Sequence, residues 1–143
     1  MSDVAGPSTV VVFSQRSEVC SAVRTVLGEW PAADVGPVRY LECRSGAEVI
    51  ATVDAGGVDL CVLDGEAEPT GGVGLSRRLR ADVADCPALV VLLTRGSDGW
   101  LARWSQADAA LAFPVDPAAG PAVVAGLLLE RAAERPVLRA STP

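Results

Sequence analysis

The chain has 143 residues, half of them hydrophobic and 21% charged, which suits one compact domain and argues against intrinsic disorder. Its net charge of −6 opposes a phosphate-binding surface, because nucleic-acid affinity rests on lysines and arginines displacing counterions, so no DNA contact is expected. Histidine is absent, which removes the commonest general base and metal ligand along with every Ser-His or Cys-His nucleophile; an enzyme is not expected. Cys20, Cys43, Cys61 and Cys86 form no C-x-x-C pair, so neither a zinc site nor a dithiol motif is written here, and four buried thiols are expected. No apolar run approaches the ~18 residues of a membrane-spanning helix, so no membrane insertion is expected. Residues 1–8 carry acid and proline instead of a basic segment followed by an apolar one, so a cytoplasmic location is expected.

In chain order, Val10-Val11-Val12-Phe13 is a short β-branched run of the kind buried on both faces of a parallel sheet. Ser17 is a candidate cap for a first helix whose apolar residues Val19, Ala22, Val23, Val26 and Leu27 recur at helical spacing up to Gly28. A second strand is predicted over Val38 to Cys43. Ser45 and Glu48 have the spacing of a capping box for a second helix, which Gly56-Gly57 stops. The third strand is predicted over Val58 to Leu63 and ends on Asp64, and a loop of Gly65 to Gly72 leads to a helix carrying Val73, Leu75 and Leu79. The apolar run Ala88 to Leu93, ending on Thr94, predicts strand four. Ser97 or Asp98 then caps a short helix bearing Trp100, Leu101 and Trp104. The weak run Ala109 to Phe113, closed by Pro114, predicts strand five. The last helix should begin between Asp116-Pro117 and Gly120-Pro121, with the later start preferred because a proline in a helix interior costs about 3 kcal/mol. It should end near Ala133.

Alternating strands and helices predict an α/β fold, a doubly wound five-stranded parallel sheet of (βα)5 type, flavodoxin-like, over residues 9–133, with residues 1–8 disordered and 134–143 a flexible tail. In such sheets functional groups gather beyond the carboxyl ends of the strands, where strand order reverses. That rule selects Ser14-Gln15, Asp64, Thr94 and Phe113-Pro114.

Those strand ends resemble the receiver domain of bacterial response regulators (CheY-like). The segment VDLCVLDGEAEPTGGVGLSRRLR, residues 58–80, is similar to the family's third strand, acceptor loop and third helix. The resemblance implies that Asp64 holds the phospho-acceptor position, that Gly72 is the usual glycine eight residues on, that Thr94 matches the switch threonine, and that Pro114 matches the proline after the family's lysine. It also exposes departures. Ser14 and Gln15 stand where the family carries two acidic residues that hold magnesium, Phe113 stands at the lysine, and Ala110 stands at the aromatic switch. A hard divalent cation needs carboxylate and water ligands, so no cofactor is expected beyond weak magnesium binding near Asp64, and no other metal site. Pro69 stands one residue late, a local insertion that brings Glu66 or Glu68 near the acceptor, either to repel a phosphoryl group or to help hold a cation.

Each feature also has a plainer reading. Asp64 serves equally as a carboxylate bonded to nearby backbone N–H groups, Thr94 as a turn cap, Arg77-Arg78-Arg80 as a solvated helix face, and Arg95 as either a counter-charge over Asp64 or a wet side chain. Trp100 and Trp104, one turn apart, are core residues or a partner-facing pair. The function expected is that of an atypical stand-alone receiver with impaired magnesium-dependent phosphorylation at Asp64. It would work through a protein partner, a histidine kinase or an output protein, or as a homodimer, with the fourth helix, fifth strand and fifth helix as contact surface. The alternative is a pseudo-receiver whose emptied pocket, lined by Ser14, Asp64, Thr94 and Phe113, holds a small molecule. A flavin-binding enzyme would need a richer Ser/Thr/Gly loop than Ser14-Gln15-Arg16-Ser17 provides.

Overall fold

In the computed structural model residues 7–66, 71–94 and 99–140 are described, without the side chains of residues 94, 99–101 and 135–140. The elements alternate strictly: β1 (Ser8–Phe13), α1 (Ser17–Leu27), β2 (Val38–Cys43), α2 (Gly46–Asp54), β3 (Leu60–Asp64), α3 (Gly71–Asp82), β4 (Ala88–Thr94), α4 (Gly99–Ser105), β5 (Ala109–Phe113) and α5 (Ala119–Ala140). The strands form one parallel sheet in the order β2-β1-β3-β4-β5, the expected doubly wound architecture.

The apolar runs are continuous because each strand feeds two cores. Val10, Val12, Leu60, Val62, Val90 and Leu92 face α1 and α5 on one side, meeting Val19, Val23, Val124 and Leu128. Val11, Phe13, Cys61, Leu63, Leu89 and Val91 face the other way, onto Val49 and Val53 of α2 and Leu75 and Leu79 of α3. Cys20, Cys43 and Cys61 are buried, whereas Cys86 is only half-buried. No helix of the described residues is long and apolar enough to cross a membrane.

Several boundaries differ from those the sequence predicts. Ser17 is the first residue of α1 and not its cap: Arg16 occupies the cap position with extended backbone and makes no side-chain cap bond. β3 begins at Leu60 instead of Val58, because Asp59 bonds across to β1. Its Oδ2 accepts the Thr9 N–H at 2.9 Å, and its own N–H donates to the Thr9 carbonyl at 2.9 Å. α5 begins at Ala119, where Asp116 Oδ1 accepts the N–H groups of Ala118 and Ala119, which leaves Pro121 in the first turn, where its missing N–H costs little. The helix continues to Ala140 instead of ending near Ala133, since Leu, Ala, Glu and Arg are good helix formers on both sides of Pro136. The Ser45 cap stands as expected, accepting the Glu48 N–H at 3.1 Å, while Glu48 Oε1 accepts from the N–H of Arg44, one residue earlier than in the standard box. The Ser97 and Asp98 caps, Arg95, Glu68 and Pro69 lie outside the described residues.

Candidate functional site

The strand order reverses between β1 and β3, so the carboxyl ends of these two strands lie side by side. Phe13 pairs with Leu63, which brings the next residues, Ser14 and Asp64, opposite each other. The Ser14 N–H is held by the Cys43 carbonyl of β2 at 3.2 Å, and the Gly65 N–H by the Leu92 carbonyl of β4 at 2.8 Å, so both flanks of the site are fixed by neighbouring strands.

Asp64 is 3% exposed and Ser14 fully buried. A carboxylate taken out of water at such a point must be bonded at both oxygens. The Ser14 hydroxyl donates to Oδ2 at 2.7 Å, Arg16 Nη2 donates to the same oxygen at 3.2 Å, and the Glu66 N–H donates to Oδ1 at 2.9 Å. Ser14 works in two directions, because its Oγ also accepts the Arg16 N–H at 3.0 Å. That second bond turns the chain at the start of α1 so that the arginine side chain folds back over the end of β3. The Arg16 side chain is 50% exposed against 4% for that of Asp64, so the ion pair forms a cover with its positive member outward.

Glycines set the other wall. A Cβ on Gly72 would stand 2.6 Å from the Asp64 carbonyl oxygen and 2.7 Å from the Leu63 carbonyl carbon, and a Cβ on Gly65 would stand 2.6 Å from the Leu92 oxygen. The glycine eight residues after Asp64 is thus required by the close approach of α3 to β3.

The structure therefore brings together Ser14, Asp64 and the backbone of Glu66, and adds Arg16. Glu66 is exposed and gives its backbone N–H to Asp64 Oδ1 at 2.9 Å. Gln15 is exposed. Phe113 packs against the α1–α5 core, and the exposed Pro114 follows it through a cis peptide. The backbone of Thr94 pairs with Phe113 at the end of β4, but its side chain, like that of Trp100, lies outside the described residues. Ala110 is exposed on β5. Over Asp64 the described residues place the Ser14 hydroxyl, one of the side chains expected to line an emptied pocket, and the Arg16 guanidinium. Arg16 could have been found from sequence: two residues after the serine that replaces an acid, it is the nearest cation to the strand end.

The described residues around Asp64 do not fit a divalent metal. Such an ion takes oxygen ligands and one or more carboxylates, whereas here Asp64 Oδ2 already holds a hydroxyl and a guanidinium, and a second cation beside that guanidinium would be repelled. Among the described residues no group of three His, Cys, Asp or Glu is placed to hold a metal ion.

Elsewhere, the arginines of α3 are largely tied to their own chain and do not form a free solvated row. Arg77 lies 4.8 Å over the Trp104 ring and donates to the Trp104 carbonyl at 3.0 Å, and Arg80 pairs with Asp108 at 2.7 Å. Trp104 is 44% exposed.

No protein-family profile matches the chain. Over 117 residues it is 41% identical to an uncharacterized response regulatory protein of Mycobacterium tuberculosis, present in two strains, in an alignment covering 82% of this chain and 88% of that protein. Solved structures agree on the fold. A CheY-like response regulator receiver domain protein from Methanospirillum hungatei superposes with a TM-score of 0.71 at 14% identity, covering 90% of this chain and 99% of that one. A two-component response regulator from Clostridium difficile gives 0.69 at 20% identity, covering 85% and 95%. The receiver domain of Ssk1, co-crystallised with the histidine phosphotransfer signaling protein Ypd1 of Saccharomyces cerevisiae, gives 0.63 at 16% identity, covering 78% and 81%.

Proposed function

The chain belongs to the response regulators, whose receiver domains serve two-component signalling, and we propose that it does so through protein contact, without magnesium-dependent phosphorylation of Asp64. The observation that carries this reading is the engagement of both Asp64 carboxylate oxygens, Oδ2 by the Ser14 hydroxyl and Arg16 and Oδ1 by the Glu66 N–H. Phosphoryl transfer to a carboxylate needs one oxygen free to attack and a cation placed to neutralise the incoming charge. Both oxygens of Asp64 accept hydrogen bonds, and among the described residues the charge brought to them is a guanidinium that already compensates the carboxylate itself. In this reading Asp64 is an anchor that fixes the β1–α1 turn to the end of β3, and the domain acts as a signalling module and not as an enzyme.

The partner is a protein. The Ssk1 receiver domain seated on a phosphotransfer protein supports that class of partner. The α4, β5 and α5 surface is a suitable platform, since β5 closes the sheet and presents the small exposed side chains of Ala110 and Ala112. The test is incubation of the wild-type chain and Asp64→Asn with acetyl phosphate and magnesium, followed by intact-mass measurement within the lifetime of an aspartyl phosphate. Neither protein should gain a phosphoryl mass. An adduct on the wild type alone would overturn the proposal.

A further inference from the structure

The largest apolar cavity described on this chain is not lined by Asp64. It is a groove of about 840 Å³ between α2 and α3, reached by Trp104 at the end of α4. Both helices rest on the sheet through Val49, Val53, Leu75 and Leu79, and the small residues Ala47, Ala51 and Gly74 leave the space between them open. Trp104, which the sequence offers as a core or a partner-facing residue, lines this groove and is held there by Arg77. An exposed tryptophan fixed at the rim of an apolar groove is the usual composition of an interface centre.

The charges around the groove say what covers it. Asp54 on the α2 wall is exposed and has no ionic partner among the described residues. Arg78 on the α3 wall has only an exposed contact to Asp82 at 3.6 Å, a pair of the kind worth little in water. A twofold axis through the midpoint of two sites exchanges them, so a second copy laid on this groove about such an axis sets its Asp54 over the first copy's Arg78, and its Arg78 over the first copy's Asp54. The pattern is complementary to itself, as an isologous interface requires. A partner of a single charge would satisfy one wall and oppose the other. We propose that the α2–α3 groove is the self-association surface of this receiver, with Trp104 and Ile50 at its apolar centre and the Asp54–Arg78 pair formed twice between copies. This does not depend on whether Asp64 is phosphorylated.

Sedimentation of the full chain over a concentration series tests it, using wild type, Asp54→Arg, Arg78→Asp and an equimolar mixture of the two variants. The wild type should show a monomer–dimer equilibrium. Each reversal alone places like charges together twice and should weaken the dimer by more than ~tenfold. The mixture should recover it, because the reversed walls are complementary to each other. Trp104→Ala, an exposed truncation, should weaken association without changing the circular dichroism spectrum. A wild type that is monomeric throughout, a dimer indifferent to both reversals, or folded variants that fail to associate on mixing would each overturn the proposal.

Discussion

Gly72 approaches Asp64 so closely that a Cβ placed on it would meet the Asp64 carbonyl oxygen at 2.6 Å. The contact is backbone against backbone, and neither the end of β3 nor the first turn of α3 can yield without moving the other. Gly72→Ala should therefore destabilise the fold by about 2–3 kcal/mol or more, well beyond an ordinary surface substitution. A urea titration followed by circular dichroism would register this as a lower midpoint at unchanged slope. An unchanged midpoint would mean that α3 does not approach β3 as described.

Ser14 and Arg16 share one oxygen of Asp64, and their contributions should be coupled. Ser14→Ala removes a buried donor to a carboxylate and should cost about 1.5–3 kcal/mol. Arg16→Ala should cost less, about 0.5–1 kcal/mol, because half of that side chain is already in water. A double-mutant cycle should return an interaction energy of at least about 0.5 kcal/mol, since Ser14 also fixes the Arg16 backbone. Additive losses would show that the two act independently.

Gln106 follows α4 in the left-handed region, at φ +59°, a conformation that costs a side chain and suits glycine. Its carbonyl accepts from Arg80 at 3.1 Å, a bond that glycine keeps. Gln106→Gly should raise stability by about 0.5–1 kcal/mol, seen as an increase in melting temperature. A loss would indicate that the Gln106 side chain contributes more than the strain it incurs.

Tyr40 is the only tyrosine, so its titration is unobscured. Burial pushes its phenol up from 10.0 to about 12, against a smaller opposing effect of Arg24, and its hydroxyl donates to the Gly28 carbonyl at 2.5 Å. Because the folded value is the raised one, the stabilisation linked to this proton is fully present below pH 10 and is lost as pH rises from 10 to about 12. Ultraviolet difference titration should place the native midpoint well above that measured in denaturant. Coincident midpoints would contradict the burial of the ring.

The fold was legible because strands and helices alternate with distinct periodicities, and because strands feeding two cores carry unbroken apolar runs that end where Asp64 and Thr94 stand. Asp64 was legible from the same pattern. Periodicity did not mark Arg16, since it says nothing about a residue between a strand and a helix; only nearness to the strand end pointed to it, and its place depends on a bond from its own N–H to Ser14. Asp59 shortened β3 for a related reason: its side chain competes for a β1 N–H, a choice that only the register of two strands far apart in sequence decides. The direction of Trp104 likewise depends on Arg77 of a different helix.

Arg16 is covalently part of the chain, so the charge facing Asp64 is present in every copy and cannot be diluted away, chelated or exchanged. A dissolved ion would occupy that place only as far as its concentration allowed, whereas a tethered group is always supplied at the effective concentration its short connection sets. The counter-charge at this strand end is thereby supplied whatever the divalent-cation concentration, and although salt screens the half-exposed pair it does not remove it.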